Sequence, residues 1–351
     1  MRLILYPFSL LYGLVILIRN LLYDIGILGS ARFDIPVILV GNLSTGGTGK
    51  TPHVEYLIRL LKARYKVATL SRGYGRETRG FREATIHCSV TDVGDEPLLY
   101  KTRHPEIIVT VCENRAEGIR TILKMHPEVQ VILMDDGFQH RAVRPGFSIL
   151  LTPFRKPWNR DHLLPAGNLR EQVSGRKRAA CAVVTGTPPQ LSTNDLQPVA
   201  DALRMPAQKP VFFSSVAYGE LLKVFDDAPA FAPPAKVVLF AGIAHAGAFE
   251  QKVKELYGDV VSVFYGDHHV YTEEEITDLA EKFREWDMLS GKAVLMTTEK
   301  DAMRLRTAAH ASLLHGLPLY YLPINVVLRT HLNASFDAMI LQYVEQNQRN
   351  G

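Results

Sequence analysis

Residues 36–52, PVILVGNLSTGGTGKTP, decide the fold of this chain. The apolar, β-branched run at 36–40 predicts a strand, and an amphipathic helix is predicted to start near His53. Between them, glycines let backbone N–H groups turn toward an anion, and the first turn of a helix offers further free N–H groups. A strand, a glycine-rich loop and a helix in this order predict a loop that binds the phosphates of a nucleotide.

Eight consecutive residues form the predicted nucleotide-binding loop: Ser44, Thr45, Gly46, Gly47, Thr48, Gly49, Lys50 and Thr51. In such a loop Lys50 can reach the β- and γ-phosphates, which makes it a catalytic candidate, and the hydroxyl of Thr51 can hold Mg²⁺. Ser44 departs from the usual pattern, which has glycine at this position. A glycine-rich turn with a chance lysine is the alternative, but the flanking strand and helix favour nucleotide binding.

The composition is that of a globular protein. The chain has 351 residues, of which 47% are hydrophobic and 22% charged, and this length suits two domains better than one. Three cysteines without metal-ligand spacing favour reduced thiols in a cytosolic setting. The net charge of +4 is too modest to indicate nucleic acid by itself, and we expect no nucleic-acid partner. The sequence gives no sign of an obligate protein partner.

The N-terminus carries an apolar segment at residues 3–18, followed by Arg19. The uncharged run is shorter than the ~20 residues of a spanning helix, and it lacks the small-residue cleavage site of a signal peptide. A buried core helix is a further alternative, but the segment is apolar on all faces. With Tyr6, Tyr12 and Tyr23 placed to lie at headgroup level, the pattern favours a monotopic anchor on the cytoplasmic side of a membrane.

Two polar motifs follow further predicted elements of the first half. SRGYGR, after a predicted strand at 66–70, carries Arg72 and Tyr74, and it is either a grip for a phosphorylated acceptor or a solvated arginine turn. GDEP contains Asp95 and Glu96 just before a predicted helix. These carboxylates are either helix caps or groups near the γ-phosphate, where one accepts a hydroxyl proton.

The predicted strand at 129–134, VQVILM, ends in Asp135 and Asp136. An acid at the end of a buried strand, in the same sheet as the phosphate loop, would hold Mg²⁺ directly or through water. A buried charge would cost several kcal/mol if unpaired, and a metal ion supplies the pairing. His140, a few residues later, either orients an acid or hydrogen-bonds locally, and we favour the local role.

The alternation of strands and helices predicts an α/β fold with a P-loop NTPase-like parallel sheet domain that has helices on both faces. The strand at 179–185 is predicted to close this first sheet, and the Pro- and polar-rich stretch at 187–210 is predicted to link the domains. The remaining alternation predicts a second, smaller α/β domain. We expect three parts: a membrane-associated helix at 1–30, a nucleotide-binding core domain at 31–208 and a smaller domain at 209–351.

Two charged stretches have open roles. The basic residues within 155–178 form either a phosphate and headgroup surface or a solvated loop. TTEKD at 297–301 offers Glu299, Lys300 and Asp301 as readers of a nucleotide base, or it is only a charged turn that begins a helix.

Six motifs occur in a fixed order behind the apolar N-terminus: GGTGKTP, SRGYGR, GDEP, DDGFQH, LLPAGNLRE and DHHVY. In this order they resemble the tetraacyldisaccharide 4'-kinases, the lipid A 4'-kinases of Gram-negative bacteria. The resemblance implies an ATP- and Mg²⁺-dependent transferase of lipopolysaccharide synthesis. Such a kinase phosphorylates the 4'-hydroxyl of a tetraacyldisaccharide 1-phosphate at the cytoplasmic face of the inner membrane and forms lipid IVA.

The resemblance also implies roles for individual residues. Asp95 is the implied general base and His268 its partner, although the adjacent His269 leaves the register open. The implied metal site comprises Thr51, Asp135, Asp136 and Glu171. The candidate substrate-binding residues are Arg72, Tyr74, Asn114, Arg115 and Arg170.

Two other functions compete with the kinase. A membrane-bound P-loop GTPase or ATPase switch would use phosphate binding to drive a conformational change. It predicts a guanine-reading Asn-Lys-x-Asp motif, which TTEKD resembles only loosely. A nucleotide-sensing membrane scaffold would leave Asp95 and His268 without a chemical role.

Overall fold

The computed structural model describes residues 2–233, 236–244, 246–290, 292–329 and 335–348. The described residues leave out residue 1 of the predicted N-terminal part. They also leave out residues 330–334 and 349–351 of the predicted C-terminal part. Nine strands form a large sheet: β1 (Val37–Asn42), β2 (Val67–Ser71), β3 (Arg82–Glu83), β4 (Ile108–Val111), β5 (Val131–Asp135), β6 (Phe147–Pro153), β7 (Cys181–Thr185), β8 (Val211–Tyr218) and β14 (Ile324–Arg329). Five strands form a small sheet: β9 (Leu222–Lys223), β10 (Lys236–Ala241), β11 (Val260–Phe264), β12 (Ala293–Thr298) and β13 (Leu319–Leu322).

Helices cover the sheets and fill the connections. They are α1 (Tyr6–Asp24), α2 (Lys50–Lys62), α3 (Val90–Val93), α4 (Asp95–Arg103), α5 (Arg115–Met125), α6 (Thr193–Ala202), α7 (Ala246–Tyr257), α8 (Glu273–Ser290), α9 (Glu299–Leu305), α10 (Ala308–Leu313) and α11 (Phe336–Gln346).

The large sheet has the strand order β14-β8-β7-β6-β1-β5-β2-β4-β3. Strands β8 to β4 pair in parallel, and the two edge strands β14 and β3 pair antiparallel to their neighbours. Side chains of β1 alternate between the faces: Ile38 joins a core with Leu57 of α2, and Leu39 joins a core with Ile119 of α5. Both faces are therefore buried, which is why the central strands are apolar runs.

The predicted fold class is confirmed: the protein has a large, mainly parallel sheet with helices on both faces and a second, smaller α/β unit. The small sheet has the order β11-β10-β12-β13-β9, with only β9 antiparallel. The chain enters it after β8 and returns through β14, which pairs antiparallel with β8 from Tyr218 opposite Ile324 to Phe213 opposite Arg329. The small unit is thus inserted between two adjacent strands of the large sheet.

The prediction that residues 179–185 close the first sheet is wrong, because β8 and β14 extend the sheet beyond β7. The stretch at 187–210 is not only a link, since it contains α6. Leu196 and Ala200 of α6 pack into the core while its polar side chains face outward, so its polar composition concealed an amphipathic helix. The large sheet contains strands from before and after residue 208, where we predicted the boundary between the two domains.

Helix α1 lies along the large-sheet unit with most of its side chains exposed. Its buried residues are Ser9 and Gly13, and a Cβ on Gly13 would come within 2.7 Å of the Leu163 side chain. Ser9 Oγ donates to Leu163 O, and the Tyr12 hydroxyl donates to Arg170 O. By length and composition, α1 meets the requirements of a helix that crosses a membrane, and 11% of its apolar window is buried. One face is therefore fixed to the protein while large apolar side chains remain uncovered.

Candidate active site

The predicted phosphate loop lies at the carboxyl end of β1. Helix α2 begins at Lys50, three residues before the predicted start at His53, so Lys50 and Thr51 occupy its first turn. Gly49, the residue before the helix, has a left-handed φ of 81°, which residues with a side chain rarely adopt. The loop therefore points the free N–H groups of α2 toward the edge of the sheet.

Buried polar contacts hold this loop from behind. His53 Nδ1 lies 2.6 Å from Gly49 O, and its Nε2 lies 2.9 Å from the Ser214 hydroxyl on β8. Burial lowers the pKa of His53 to about 4, so the neutral ring donates to Gly49 and accepts from Ser214. Asn42 Nδ2 donates to Thr48 Oγ1 at 2.7 Å. Residues far along the chain thus fix the loop's shape.

Asp135 is the last residue of β5 and is 1% exposed. Its Oδ2 accepts a hydrogen bond from the Tyr100 hydroxyl at 2.8 Å, whereas its buried Oδ1 has no hydrogen-bond partner among the residues that the structure describes. Burial and the nearby Glu96 raise the pKa of Asp135 to about 7, although Lys50 opposes the rise. A buried carboxylate oxygen without a donor fits a cation such as Mg²⁺, which prefers oxygen ligands.

Asp136 connects the phosphate loop to the NLRE motif. Its carboxylate lies 3.5 Å from Lys50 Nζ and 2.8 Å from Arg170 Nη2. Burial opposes ionisation, but these two cations lower the pKa of Asp136 to about 2. Arg170 also donates to Asn42 Oδ1. The structure thus brings together three of the predicted site residues, Lys50, Asp136 and Arg170.

Thr51 contacts Glu96 of the GDEP motif, which we interpreted from the sequence as a helix cap or a group near the γ-phosphate. Its hydroxyl donates to Glu96 Oε1 at 2.6 Å, and Lys300 Nζ from α9 donates to the same oxygen at 2.6 Å. Burial opposes ionisation of Glu96, but Lys300 lowers its pKa. Because the Thr51 hydroxyl gives its hydrogen to Glu96, its lone pairs are left free to face a cation.

Asp95 is buried at the start of α4, where both units meet. Its Oδ1 accepts from the Glu96 N–H, and its Oδ2 lies 3.0 Å from His268 Nδ1 and 2.5 Å from Arg304 Nη2. Burial opposes ionisation, but the His268 hydrogen bond and the charges of Lys300 and Arg304 hold the pKa of Asp95 well below its ordinary value.

The structure resolves which of the two adjacent histidines contacts Asp95. His268 does, with a φ of 57° and its ring 4.9 Å from that of Tyr74, whereas His269 Nε2 pairs with Glu275. Arg304 was missed, because nothing in its sequence context marks a partner 209 positions earlier. The sequence offered one weak signal, which is the alternation of acidic and basic residues in TTEKDAMR at 297–304.

A cationic region lies beside Asp136. Arg115 is 2% exposed and donates from Nη1 to Cys112 O, but its Nε and Nη2 are buried without hydrogen-bond partners in the described part of the chain. Burial lowers the pKa of Arg115 to about 10. Burial and the charges of Arg115 and Arg72 lower the pKa of His140 to about 4. A buried guanidinium with two unused donors fits an anionic group such as a phosphate.

Other predicted residues lie apart from this set. Asn114 is the N-cap of α5, where its side chain accepts from the Glu117 N–H. Tyr74 is 65% exposed beside His268. Glu171 is buried and bonds Arg178 at 2.7 Å and Gln139 at 2.8 Å.

No cluster of acids alone makes a metal site. Across the described ranges, Glu171 shows no hydrogen bond to Thr51, Asp135 or Asp136, and no group of three His, Cys, Asp or Glu side chains is arranged to hold a metal ion. A metal ion here would therefore need further oxygen ligands, which nucleotide phosphates and water can supply.

The acidic residues of TTEKD face other side chains of the protein. Glu299 pairs with Arg103 of α4, and Asp301 pairs with Arg304 at 2.8 Å and accepts from the Gly242 N–H. Both carboxylates are occupied, which disfavours their hypothesised role in reading a base.

Comparisons with known proteins agree over the whole chain. The family model described as tetraacyldisaccharide-1-P 4'-kinase matches residues 1–344. The tetraacyldisaccharide 4'-kinase of Bacteroides thetaiotaomicron is 40% identical over 99% of this chain and 94% of its own length. That of Flavobacterium johnsoniae is 40% identical over 99% of this chain and 98% of its own. The crystal structure of "apo" form LpxK from Aquifex aeolicus in complex with ATP has a TM-score of 0.74 and 30% identity, covering 99% of both chains.

Proposed function

The chain belongs to the tetraacyldisaccharide 4'-kinase family, and we propose that it transfers the γ-phosphoryl group of ATP to the 4'-hydroxyl of a tetraacyldisaccharide 1-phosphate. The product would be lipid IVA, an intermediate of lipid A. Because the relatives of this chain are named as kinases, the alternative function as a P-loop GTPase or ATPase switch is disfavoured. The observation that carries the proposal is that buried Asp95 has His268 on its second oxygen, while the next residue, Glu96, accepts a hydrogen bond from Thr51 of the phosphate loop.

In this mechanism the loop and Lys50 bind the β- and γ-phosphates, and Arg170 neutralises charge beside Asp136. Asp95 takes the proton of the sugar hydroxyl as the new P–O bond forms, and His268 orients its carboxylate. Arg115, with Arg72 beside it, offers its unused donors to an anionic group of a substrate. Tyr74, exposed beside His268, and Asn114, the N-cap residue next to Arg115, stay candidates for substrate binding.

Thr51, Asp135 and Asp136 would hold Mg²⁺, which supplies charge neutralisation at the transferring phosphoryl group. The free oxygen of Asp135 and the lone pairs of Thr51 support this assignment. Direct contact of Glu171 with the ion would require its hydrogen bonds with Arg178 and Gln139 to open. The proposed metal site therefore rests on Thr51, Asp135 and Asp136.

The decisive experiment measures phosphate transfer from γ-labelled ATP to a tetraacyldisaccharide 1-phosphate in mixed micelles. We expect transfer that needs Mg²⁺ and is lost in Lys50→Ala. Lys62→Ala, at the far end of the same helix, is the matched control and should retain activity, because among the described residues Lys62 pairs with Glu106 and His104 and with no residue of the phosphate loop. Hydrolysis of nucleotide without any lipid product would refute the proposal.

The same proposal places the enzyme on the cytoplasmic face of the inner membrane, where ATP and a lipid acceptor meet. The uncovered apolar side chains of α1, among them Leu10, Leu14, Leu17 and Leu21, support it. Leu14→Asp should weaken binding to vesicles of phosphatidylethanolamine and phosphatidylglycerol in a flotation assay by about tenfold or more. The matched control Met288→Asp changes an exposed residue of α8 and should float like the parent protein. Equal flotation of both variants would refute the anchor.

A further inference from the structure

Arg304 is a buried guanidinium at the junction of the two units, and its side chain is 5% exposed. It extends from α9 of the small-sheet unit to Asp95 at the start of α4, with Nη2 2.5 Å from Asp95 Oδ2. Its Nη1 donates to Asp301 Oδ1 and to Gly242 O, both at 2.8 Å. Asp301 is itself fixed by the Gly242 N–H and the Thr298 hydroxyl. The guanidinium therefore has little freedom to move away from Asp95.

We propose that Arg304 is a positioning residue of the transfer reaction, which keeps the carboxylate of Asp95 charged and oriented whatever the protonation state of His268. This inference rests on the proposed function, because it assigns Arg304 to the base of that reaction. Arg304 contacts the base and not the reacting atoms.

Two basic side chains share one carboxylate oxygen of Asp95. Asp95 Oδ1 is occupied by the Glu96 N–H, so Oδ2 receives both His268 and Arg304. An arginine stays charged at every physiological pH, whereas a histidine loses its charge within that range. If His268 were the only partner on Oδ2, its deprotonation would leave the buried Asp95 carboxylate without a positively charged partner. A buried carboxylate in that state is strongly unfavourable. Arg304 supplies a permanent counter-charge.

The other charged groups around this pair do not replace Arg304. Asp95 also experiences Lys300, but that ammonium is bonded to Glu96 at 2.6 Å, so its charge is shared with a second carboxylate. His268 faces Asp267 at 3.9 Å and the ring of Tyr74, and its hydrogen bond to Asp95 raises its pKa. Arg304 is thus the cation that contacts Asp95 directly without titrating.

The geometry also links the base to the fit between the two units. Asp95 lies on the large-sheet unit, whereas Arg304 and His268 both come from residues of the small-sheet unit. A second pair, Arg103 with Glu299, joins the same two helices away from Asp95. This second pair provides a control, because breaking it weakens the junction without removing a partner of the base.

The test compares the pH dependence of kcat/KM for the lipid acceptor, from about pH 3 to about pH 9 at saturating ATP, in four proteins. The range extends to low pH because the pKa of Asp95 lies below its ordinary value of 3.8 in the parent protein. These are the parent protein, Arg304→Gln, Arg304→Lys and the control Glu299→Gln. Loss of Arg304 removes a cation from Asp95, so its carboxylate binds a proton more easily. We expect the acid limb to move upward by about one pH unit or more in Arg304→Gln and by less in Arg304→Lys. Glu299→Gln should lower the rate without moving the limb.

An acid limb that stays in place while Arg304→Gln lowers the rate equally at every pH would overturn the proposal and leave only a structural role. Thermal melting identifies a variant that does not fold. If Arg304→Gln is such a variant, the comparison of Arg304→Lys with Glu299→Gln decides, and an unmoved limb in Arg304→Lys overturns the inference. Absence of lipid phosphorylation in the parent protein would instead refute the proposed function, so the two failures are distinct.

Discussion

The carboxyl edge of the large sheet and the α9 region of the small-sheet unit are both rich in buried charge, but they use it differently. At the large-sheet edge, Arg115 keeps two buried donors unused and Asp135 keeps one buried acceptor unused. In the α9 region, Glu299, Asp301 and Arg304 are each paired with opposite charge. Unused buried capacity costs stability and indicates a place for a ligand, whereas paired charge fixes the geometry around it.

The two regions meet at α4. Asp95 and Glu96 belong to the large-sheet unit, yet their carboxylates are held by Arg304 and Lys300 from α9. In the proposed mechanism, the large sheet would supply the groups that face substrates, and the small-sheet unit would set the charge and direction of the base. Three experiments with four substitutions test this division, beginning with the one that should have the largest effect.

Asp95→Asn removes the group on which both regions converge. The amide cannot take a proton from the acceptor hydroxyl, so we expect kcat to fall by about 10² to 10⁴-fold. Nucleotide binding should persist, because within the described part of the chain Asp95 bonds to Glu96, His268 and Arg304 and not to a residue of the phosphate loop. Single-turnover transfer and a fluorescent ATP analogue measure the two properties. A variant that transfers phosphate at the parental rate would exclude Asp95 as the base.

Arg115→Met and Arg304→Met make the same substitution in the two regions. Arg115→Met should raise the KM of a phosphorylated substrate by about tenfold, because a charge-assisted hydrogen bond is lost. Its free energy of unfolding should change by no more than about 1 kcal/mol, since relief of desolvation offsets the lost bond to Cys112 O. Arg304→Met should destabilise the protein by about 3 to 5 kcal/mol, because Asp95 and Asp301 lose a buried partner.

Chemical denaturation and steady-state kinetics on the two arginine variants provide the comparison. Equal losses of stability would contradict the proposed difference between the two regions. An unchanged KM for both ATP and the lipid in Arg115→Met would remove Arg115 from the substrate site.

Asp135→Asn tests the unused acceptor through the pH dependence of stability. The pKa of Asp135 is raised from its ordinary value of 3.8 to about 7, so the folded state holds this proton more tightly than the unfolded state. The stabilisation is complete below the unfolded pKa and is lost as the pH rises to about 7. The amide has no such loss and still accepts from Tyr100.

The melting temperature of Asp135→Asn should therefore exceed that of the parent by a few degrees above about pH 7, and the gap should shrink toward about pH 4. Calorimetry without nucleotide or metal measures it. A constant gap across this range would show that Asp135 does not titrate in the folded protein.

The features predicted from the sequence depend on short-range patterns. The strand and loop before Lys50 and the acids after β5 were visible because neighbouring residues determine them. The helix start at Lys50 was missed by three residues because Gly49 permits a turn directly into the helix. Strands β8 and β14 were not assigned to the large sheet, since their pairing joins segments separated by the whole small-sheet unit.

Residues that act through distant partners were harder to predict. His53 supports the phosphate loop through Ser214, which is 161 positions away, and Arg304 reaches Asp95 across 209 positions. No spacing rule connects such pairs, because they meet only after the two units pack. The resemblance to a known family indicated His268, but the choice between His268 and His269 needed the backbone turn at φ 57°.

The antiparallel pairing of β8 with β14 has a consequence for how the protein is made. The outer edge of β8 lacks its neighbour until residues 324–329 have left the ribosome, about 100 residues after β8 itself. At about 5 to 20 residues per second, this interval lasts about 5 to 20 s. During that time the nascent chain presents an open strand edge, the kind of surface that invites pairing with other chains. Rapid folding of the inserted unit would bring the two strand ends together and so shorten the time for which the β8 edge is exposed.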